Sequence, residues 1–109
     1  KFPNSPGPLK IHYAPNIPIY FYNDELIKNF SNKNIGAIFL NEIKNSEKFN
    51  VSKVLSMNSD LHEAAANLFS FLHELENLNL DLIVVEPIEN IGLGAAIMDR
   101  LTKAVNKYS

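Results

Sequence analysis

The fold of this chain is decided by residues 80–86, which read Leu-Asp-Leu-Ile-Val-Val-Glu. Their centre is four consecutive aliphatic residues, and Pro87 follows directly, so the run has the length of one strand and a clear stop. A strand that is aliphatic on both faces is typical of a parallel sheet covered by helices on both sides. Residues 35–40, Ile-Gly-Ala-Ile-Phe-Leu, show the same continuous apolar pattern. The sequence therefore predicts two buried strands of a parallel sheet.

Helical segments alternate with strands along the rest of the chain. Two weaker strands are predicted at 19–22 and 51–57. Three helices are predicted at 24–30, 61–76 and 93–108. The polar stretch 41–50 is predicted to be irregular, with at most a helical turn. Alternation of this kind implies parallel strands joined by right-handed crossovers. We expect an α/β fold: a small Rossmann-like three-layer domain with a mainly parallel sheet of four or five strands, helices on both faces, and an extended Pro-rich strap before it.

The two longer helices carry clear positional signals. Asp60 is followed three residues later by Glu63, which is the pattern of a capping box. The helix that follows has one apolar stripe at i, i+3, i+4 spacing, made of Leu61, Ala64, Ala65, Leu68, Leu72 and Leu75. The last helix is predicted to face the core with Leu93, Ile97, Leu101, Ala104 and Tyr108.

The first residues of the chain form a stiff strap. Five of the six prolines fall within the first 18 residues, where each fixes its own φ and pushes the residue before it towards extended geometry. Such a segment loses little entropy when it lies across a surface. The sequence therefore predicts a boundary between a strap at 1–16 and a globular domain at 17–109. The strap also places two hydrogen-bonding rings, His12 and Tyr13, side by side.

Composition limits the possible functions. The chain has 109 residues with a net charge of −2, and its ten basic residues are scattered, which argues against electrostatic capture of nucleic acid. Because cysteine is absent, there can be no disulfide and no thiolate metal site. No long apolar run or signal-peptide pattern appears, so we expect a cytoplasmic protein without a membrane partner.

The residues suited to chemistry do not form a self-contained active site. Gly92-Leu93-Gly94 follows a strand and opens a helix, but position 97 is Ile, and no further strand follows, so the motif does not fit dinucleotide binding. The backbone amides at the N-terminus of that helix can bind an anion, so a contact with a phosphate or carboxylate remains open. No pair of histidines has metal-ligand spacing, and no motif holds Ser5 as a nucleophile. We therefore predict no catalytic residue and no metal site.

Arg100 is the only arginine in the chain. It follows Asp99 on the last predicted helix, and two roles remain open for it. The first is a salt bridge to a neighbouring carboxylate, and the second is a contact at an interface.

Two strings near the ends of the chain carry a family resemblance. Ser5-Pro6-Gly7 followed at fixed spacing by His12-Tyr13-Ala14-Pro15 resembles the linker of two-domain threonylcarbamoyl-AMP synthases, S-P-G-M-x-x-x-H-Y-A-P. Residues 92–101, Gly-Leu-Gly-Ala-Ala-Ile-Met-Asp-Arg-Leu, resemble the G-L-G-x-A-I-M-[ND]-R-L of the C-terminal domain of that family. Residues 67–69 and 72–76 resemble its N-L-F and L-R-E-L-D. Pro8 replaces the usual Met, and Lys10 stands one position away from the usual linker cation.

The resemblance implies a role in making threonylcarbamoyl-AMP and pyrophosphate from L-threonine, bicarbonate and ATP, for threonylcarbamoyladenosine in tRNA. It implies that this chain is the linker and the C-terminal lid or regulatory domain, while an N-terminal YrdC-like domain, absent here, holds the catalytic pocket, ATP and Mg²⁺. It gives this domain alone no cofactor and no direct contact with nucleic acid. The implied nucleotide or pyrophosphate contacts are Ser5, Pro6, Gly7, Lys10, His12 and Tyr13. The implied domain-interface or anion contacts are Gly92, Gly94 and Arg100.

A second interpretation comes from a different class of protein. A Rossmann-like body with a stiff strap also fits a free-standing module that binds a small molecule or another protein, with the strap as a docking arm. A coding stretch for a YrdC-like domain upstream of Lys1 would distinguish the first interpretation from the second.

Overall fold

A computed structural model describes residues 17–106. Four strands, three helices and one 3-10 turn follow each other in these residues. In chain order they are β1 (Ile19–Phe21), α1 (Asp24–Asn29), β2 (Ile35–Phe39), the 3-10 turn (Ser46–Lys48), β3 (Val51–Val54), α2 (Leu61–Glu76), β4 (Leu82–Val85) and α3 (Leu93–Asn106).

The four strands form one sheet in the order β1-β4-β2-β3, and every neighbouring pair is parallel. The last strand in the sequence, β4, therefore lies inside the sheet, with Ile83 opposite both Ile19 of β1 and Gly36 of β2. All four residues of β4 and all five of β2 are buried. The two apolar runs are thus the two inner strands of the sheet, and the predicted parallel α/β fold is confirmed.

Helices cover both faces of the sheet. One face packs against α1 through Ile27, together with Phe39 and Phe49, whose rings are 5.8 Å apart between centroids. The other face packs against α2 and α3 and forms the larger core. Its fully buried side chains include Ile38, Leu68, Leu72, Ile83 and Leu101. The three layers that the sequence predicts are therefore present.

The first two helices begin at polar caps. The Asn23 side chain accepts hydrogen bonds from the backbone N–H groups of Glu25 and Leu26, and the Asp60 side chain accepts from those of His62 and Glu63. The predicted capping box is modified, because Glu63 does not return to the Asp60 amide. Instead the buried Ser56 hydroxyl donates to the Glu63 carboxylate and accepts from the Asp60 N–H at 2.9 Å. The serine therefore connects the end of β3 to the start of α2.

Some boundaries differ from those predicted. The strand predicted at 51–57 ends at Val54, since its backbone turns into the loop that leads to Asp60. All four residues of β3 are half-buried, because it lies at the edge of the sheet. The strap at 1–16 and Tyr108 lie outside the described residues. In the part of the chain described, no helix is long and apolar enough to cross a membrane.

Candidate functional site

The carboxyl edge of the sheet, where all four strands end, is the natural place to look for a site. The segments after β1 and β2 lead to the α1 face, and those after β3 and β4 lead to the α2–α3 face. Since β4 lies between β1 and β2, the segment that follows β4 runs to the opposite face of the sheet from the segments that follow β1 and β2. Crevices that bind ligands in open α/β sheets lie at such reversals.

A groove opens at this edge between the loops that follow β2, β3 and β4. Its volume is about 590 Å³, and it is mostly apolar. It is lined by Leu40, Ser59, Leu61, Ile88, Glu89, Ile91, Gly92 and Leu93. Ile91 is 61% exposed, and Met57 in the loop after β3 is 83% exposed. This carboxyl-edge groove therefore offers aliphatic surface to water.

The Gly92-Leu93-Gly94 motif forms one wall of the carboxyl-edge groove, and its two glycines are required for different reasons. Gly92 has φ of +57°, a left-handed conformation that favours glycine, and a Cβ there would meet no atom within 4 Å. Gly94 is needed for close approach, because a Cβ there would lie 2.2 Å from the Glu89 carbonyl oxygen. The Gly94 N–H donates to the Ile91 carbonyl at 3.0 Å, so the turn uses this amide itself. The anion contact proposed for the motif stays a prediction.

A polar cluster lies at the same edge, where the loop 40–45 crosses from β2 to its neighbours. Lys44 forms an ion pair with Glu86 at the end of β4, and the other Glu86 oxygen accepts from the Leu40 N–H at 2.9 Å. Asn45, which has φ of +53°, donates to the Tyr22 hydroxyl at 2.6 Å just after β1. These contacts hold the loop across the ends of β1 and β4.

The electrostatics of this cluster follow from its contacts. The hydrogen bond and charge of Glu86 raise the pKa of the Lys44 ammonium. Burial raises the pKa of the Tyr22 phenol, and the hydrogen bond that Tyr22 donates to Asp24 at 3.2 Å raises it further, against the lowering effect of Asn45. Both groups are therefore held in their protonated forms.

Arg100 lies over a smaller cavity between α2 and α3. This cavity has a volume of about 100 Å³ and is lined by Ala65, Leu68, Phe69, Leu93, Ala96, Ile97 and Arg100. The neighbouring Asp99 pairs with Lys103 at 3.1 Å, so the carboxylate nearest in sequence is engaged elsewhere. Within residues 17–106, Arg100 has no ion pair. The interface role predicted for it is untested.

The structure describes only some of the other residues that the sequence singles out. Ser5, Pro6, Gly7, Lys10, His12 and Tyr13 lie outside the described residues. His73 is 3.4 Å from a Glu76 carboxylate oxygen, one turn away on α2. No group of His, Asp and Glu suited to a metal ion occurs in the described range 17–106.

Sequence reasoning missed the groove and the Lys44–Glu86 and Asn45–Tyr22 contacts. A signal for them was available, because Tyr22 and Glu86 are the last residues of two predicted strands, and the carboxyl ends of parallel strands meet at one edge. The partners Lys44 and Asn45 come from a stretch predicted only as irregular, and nothing local indicates where it crosses the sheet.

The fold and this edge define a class: a small doubly wound α/β domain with an open groove at the carboxyl ends of its strands. Comparison with known proteins then identifies the family. The family described as "Threonylcarbamoyl-AMP synthase, C-terminal domain" matches residues 1–105. The chain belongs to this family.

Individual relatives agree with the family match. A threonylcarbamoyl-AMP synthase of Pyrococcus abyssi is 30% identical over 92% of this chain and 31% of its own length. The crystal structure of P. abyssi Sua5 complexed with L-threonine superposes with a TM-score of 0.70 at 30% identity, over 87% of this chain and 30% of that one. The crystal structure of the C-terminal Sua5 domain from Pyrococcus horikoshii gives a TM-score of 0.54 at 29% identity, over 82% of this chain and 93% of that one. This chain spans about a third of the length of the curated relatives it matches.

Proposed function

We propose that residues 1–16 are the linker and residues 17–109 the C-terminal lid or regulatory domain of an L-threonylcarbamoyladenylate synthase. Such an enzyme is a cytoplasmic nucleotidyltransferase that joins L-threonine, bicarbonate and ATP into threonylcarbamoyl-AMP, releases pyrophosphate, and acts in tRNA modification. The observation that carries the proposal is the family match over 1–105, which includes both the strap and the α/β body.

The catalytic work is assigned to a partner domain. A YrdC-like domain of the same polypeptide would bind ATP, Mg²⁺, L-threonine and bicarbonate, and this chain would bind none of them by itself. The match to a C-terminal domain family, and the third of the curated relatives' length that this chain spans, support this division. The exposed edge of the sheet suits a domain that positions a partner.

The strap would act as a closing element over the pocket of that partner domain. A mixed anhydride between a carbamate and AMP is labile in water, so a segment that excludes water protects the product. The imidazole of His12 and the phenol of Tyr13 can donate hydrogen bonds to phosphate oxygens, and hydrogen bonds to charged oxygens are the stronger kind. Ser5, Pro6, Gly7 and Lys10 would complete the nucleotide or pyrophosphate contact.

The function of the strap can be tested in the full-length protein with His12→Ala and Tyr13→Phe. Each variant removes one hydrogen bond to a charged group, worth about 1.5–3 kcal/mol. If the bond is made in the transition state, the rate of adenylate formation should fall by roughly tenfold to a hundredfold. Tyr13→Phe is the cleaner change, because it removes the hydroxyl and keeps the ring.

Steady-state kinetics and a melting curve for each variant separate this role from a structural one. A kinetic defect with an unchanged melting temperature supports the closing role. Full activity with a lowered melting temperature would show that His12 and Tyr13 only hold the strap to the body.

A further inference from the structure

We propose that Met98 is an oxidation site, and that conversion of its thioether to the sulfoxide by a peroxide releases the segment 86–92, which forms a wall of the carboxyl-edge groove. Met98 belongs to α3 and to the family string at 92–101, and the closing role of the strap uses it for nothing. Its hydrogen bond, its packing and its access to small molecules support the assignment.

The Met98 thioether accepts a backbone hydrogen bond. The Ile88 N–H donates to the Met98 Sδ at 3.3 Å, and within the described residues it has no other acceptor. Pro87 has no N–H, so Ile88 carries the first backbone donor after that of Glu86, which bonds to the Ile38 carbonyl. A thioether can accept this bond, whereas a leucine side chain of similar volume cannot. The sulfur therefore holds the chain at the point where it leaves the sheet.

The segment that follows β4 packs closely on the same side of α3. Gly94 lies one helical turn before Met98, so both residues are on one face of the helix. A Cβ on Gly94 would lie 2.2 Å from the Glu89 carbonyl oxygen and 3.4 Å from the Ile88 Cγ2. Ile88 is buried in the larger core and also lines the groove. A change at Met98 therefore reaches the groove wall directly.

Oxidation of the thioether removes the acceptor. A thioether sulfur has two lone pairs, of which the Ile88 N–H uses one, and the other attacks an oxygen of hydrogen peroxide. The S–O bond forms as the O–O bond breaks. The sulfur is oxidised by two electrons, and the second peroxide oxygen takes the proton of the transferred one and leaves as water. The sulfoxide sulfur carries a partial positive charge, and a polar oxygen now stands beside an apolar core. The Ile88 N–H thus loses its partner.

A small oxidant can reach Met98 while the domain is folded. Met98 is half-buried and lines a shallow cavity along α3, together with Asn90, Ala95, Asp99 and Thr102. The volume of this cavity is about 350 Å³. Hydrogen peroxide is only slightly larger than water, which occupies about 30 Å³ in the liquid, so the cavity admits it.

The chain contains its own reference for this chemistry. Met57 is the only other methionine, and it is 83% exposed in the loop after β3. Its oxidation adds a polar oxygen to a side chain that is already in water, so we expect no structural effect. The chain has no cysteine, so no thiol competes for the peroxide. Methionine sulfoxide reductases restore the thioether, which makes the change at Met98 reversible.

Peroxide treatment of the 109-residue chain tests the site without any assay of synthase activity. Peptide mass spectrometry follows the sulfoxide at positions 57 and 98, and hydrogen exchange measured by NMR follows the Ile88 amide. The protection of this amide should fall by about two- to tenfold, the effect of one ordinary hydrogen bond. The fall should follow the sulfoxide at 98 and not that at 57. Backbone resonances of 86–92 should shift, while those of α1 on the other face of the sheet should stay in place.

Two leucine variants serve as matched controls. Met57→Leu should keep the full response of the Ile88 amide to peroxide. Met98→Leu conserves the volume but lacks the acceptor, so its Ile88 amide should be weakly protected from the start and should not respond to peroxide.

Four results would overturn the proposal. Met98 could remain a thioether in the folded chain while Met57 is oxidised, or the sulfoxide could form at 98 with the Ile88 protection unchanged. The Ile88 amide of Met98→Leu could respond to peroxide as the parent chain does. The resonances of α1 could move as much as those of 86–92, which would mean that oxidation perturbs the whole fold.

Discussion

At the scale of single residues, the two glycines of the α3 turn should respond differently to the same substitution. Gly94→Ala places a Cβ against the Glu89 carbonyl, a backbone atom that cannot move aside cheaply, so it should lose 3 kcal/mol or more of unfolding free energy, the upper end of the range of about 1–3 for overpacking. Gly92→Ala meets no neighbour and has only its left-handed φ to accommodate, at a cost of about 1–2 kcal/mol. Urea denaturation of both variants measures the difference.

Gly92→Asn is the control for this pair, because asparagine tolerates the left-handed region better than alanine. It should recover part of the stability that Gly92→Ala loses. If Gly92→Ala is the more destabilising of the two alanine variants, the close approach at Gly94 is wrong.

The polar cluster should make the domain sensitive to alkali. Lys44 and Tyr22 have pKa values above their ordinary values of 10.5 and 10.0, so the folded chain holds both protons more tightly than the unfolded chain does. Their contribution is complete below the unfolded pKa and is lost as the pH rises through the folded pKa, because the folded state then binds more protons than the unfolded state. The unfolding free energy should therefore begin to fall near pH 10, the ordinary pKa of these groups, and continue to fall as the pH rises through their higher pKa values in the folded chain.

The variants Tyr22→Phe and Lys44→Gln each remove one of these groups. Each should make the decline with pH shallower when denaturant midpoints are compared across that range. If the unfolding free energy declines equally steeply with pH in both variants and the parent chain, Lys44 and Tyr22 do not cause the sensitivity to alkali.

Local signals predicted residue roles well where the partner is close in sequence. Asp60 is predicted at a helix start, and it is the cap of α2. The Ser56 contact with Glu63 was missed, because the capping-box pattern considers only the residues of the helix start. The Asn45–Tyr22 hydrogen bond joins residues 23 positions apart, and its existence depends on how the sheet is assembled.

At the scale of elements, α2 is the helix on which the larger core depends. Leu72 is fully buried on its apolar stripe, so Leu72→Ala should lower the unfolding free energy by about 2–5 kcal/mol. Met57→Ala is the matched control, since Met57 is 83% exposed and its truncation should change little. A loss below about half a kcal/mol for Leu72→Ala, within the scatter of surface substitutions, would mean that the register of α2 is wrong.

The inner elements were the most predictable and the outer ones the least. Residues 35–40 and 82–85 are continuously apolar because both of their faces are covered, and this pattern has few alternatives. The strand at 51–57 was predicted too long, since an edge strand is half-buried and carries a weaker pattern. The order of the strands could not be read from periodicity, which reports the faces of an element but not its neighbours.

At the scale of the whole molecule, the chain by itself should fold cooperatively yet form no threonylcarbamoyl-AMP from L-threonine, bicarbonate and ATP. The crystal structure of the C-terminal domain from P. horikoshii is 93% covered by this chain, which indicates that such a domain stands alone. Denaturation monitored by two probes should give coincident transitions, and a product assay should remain at background. A full-length synthase such as the P. abyssi relative serves as the positive control. Product formed by this chain alone would mean that the active site lies in this domain.

The place of β4 in the sheet has a consequence for biosynthesis. In the described sheet β1 pairs with β4 alone, and β4 also separates β1 from β2. A nascent chain that has left the ribosome only as far as α2 therefore lacks β4. Without β4, β1 has no neighbouring strand, and β2 is paired along one edge only. Translation must proceed beyond residue 85 before the sheet can close, and through α3 before its face is covered. A premature stop codon upstream of β4 thus yields a polypeptide that cannot complete its sheet, rather than a smaller working domain.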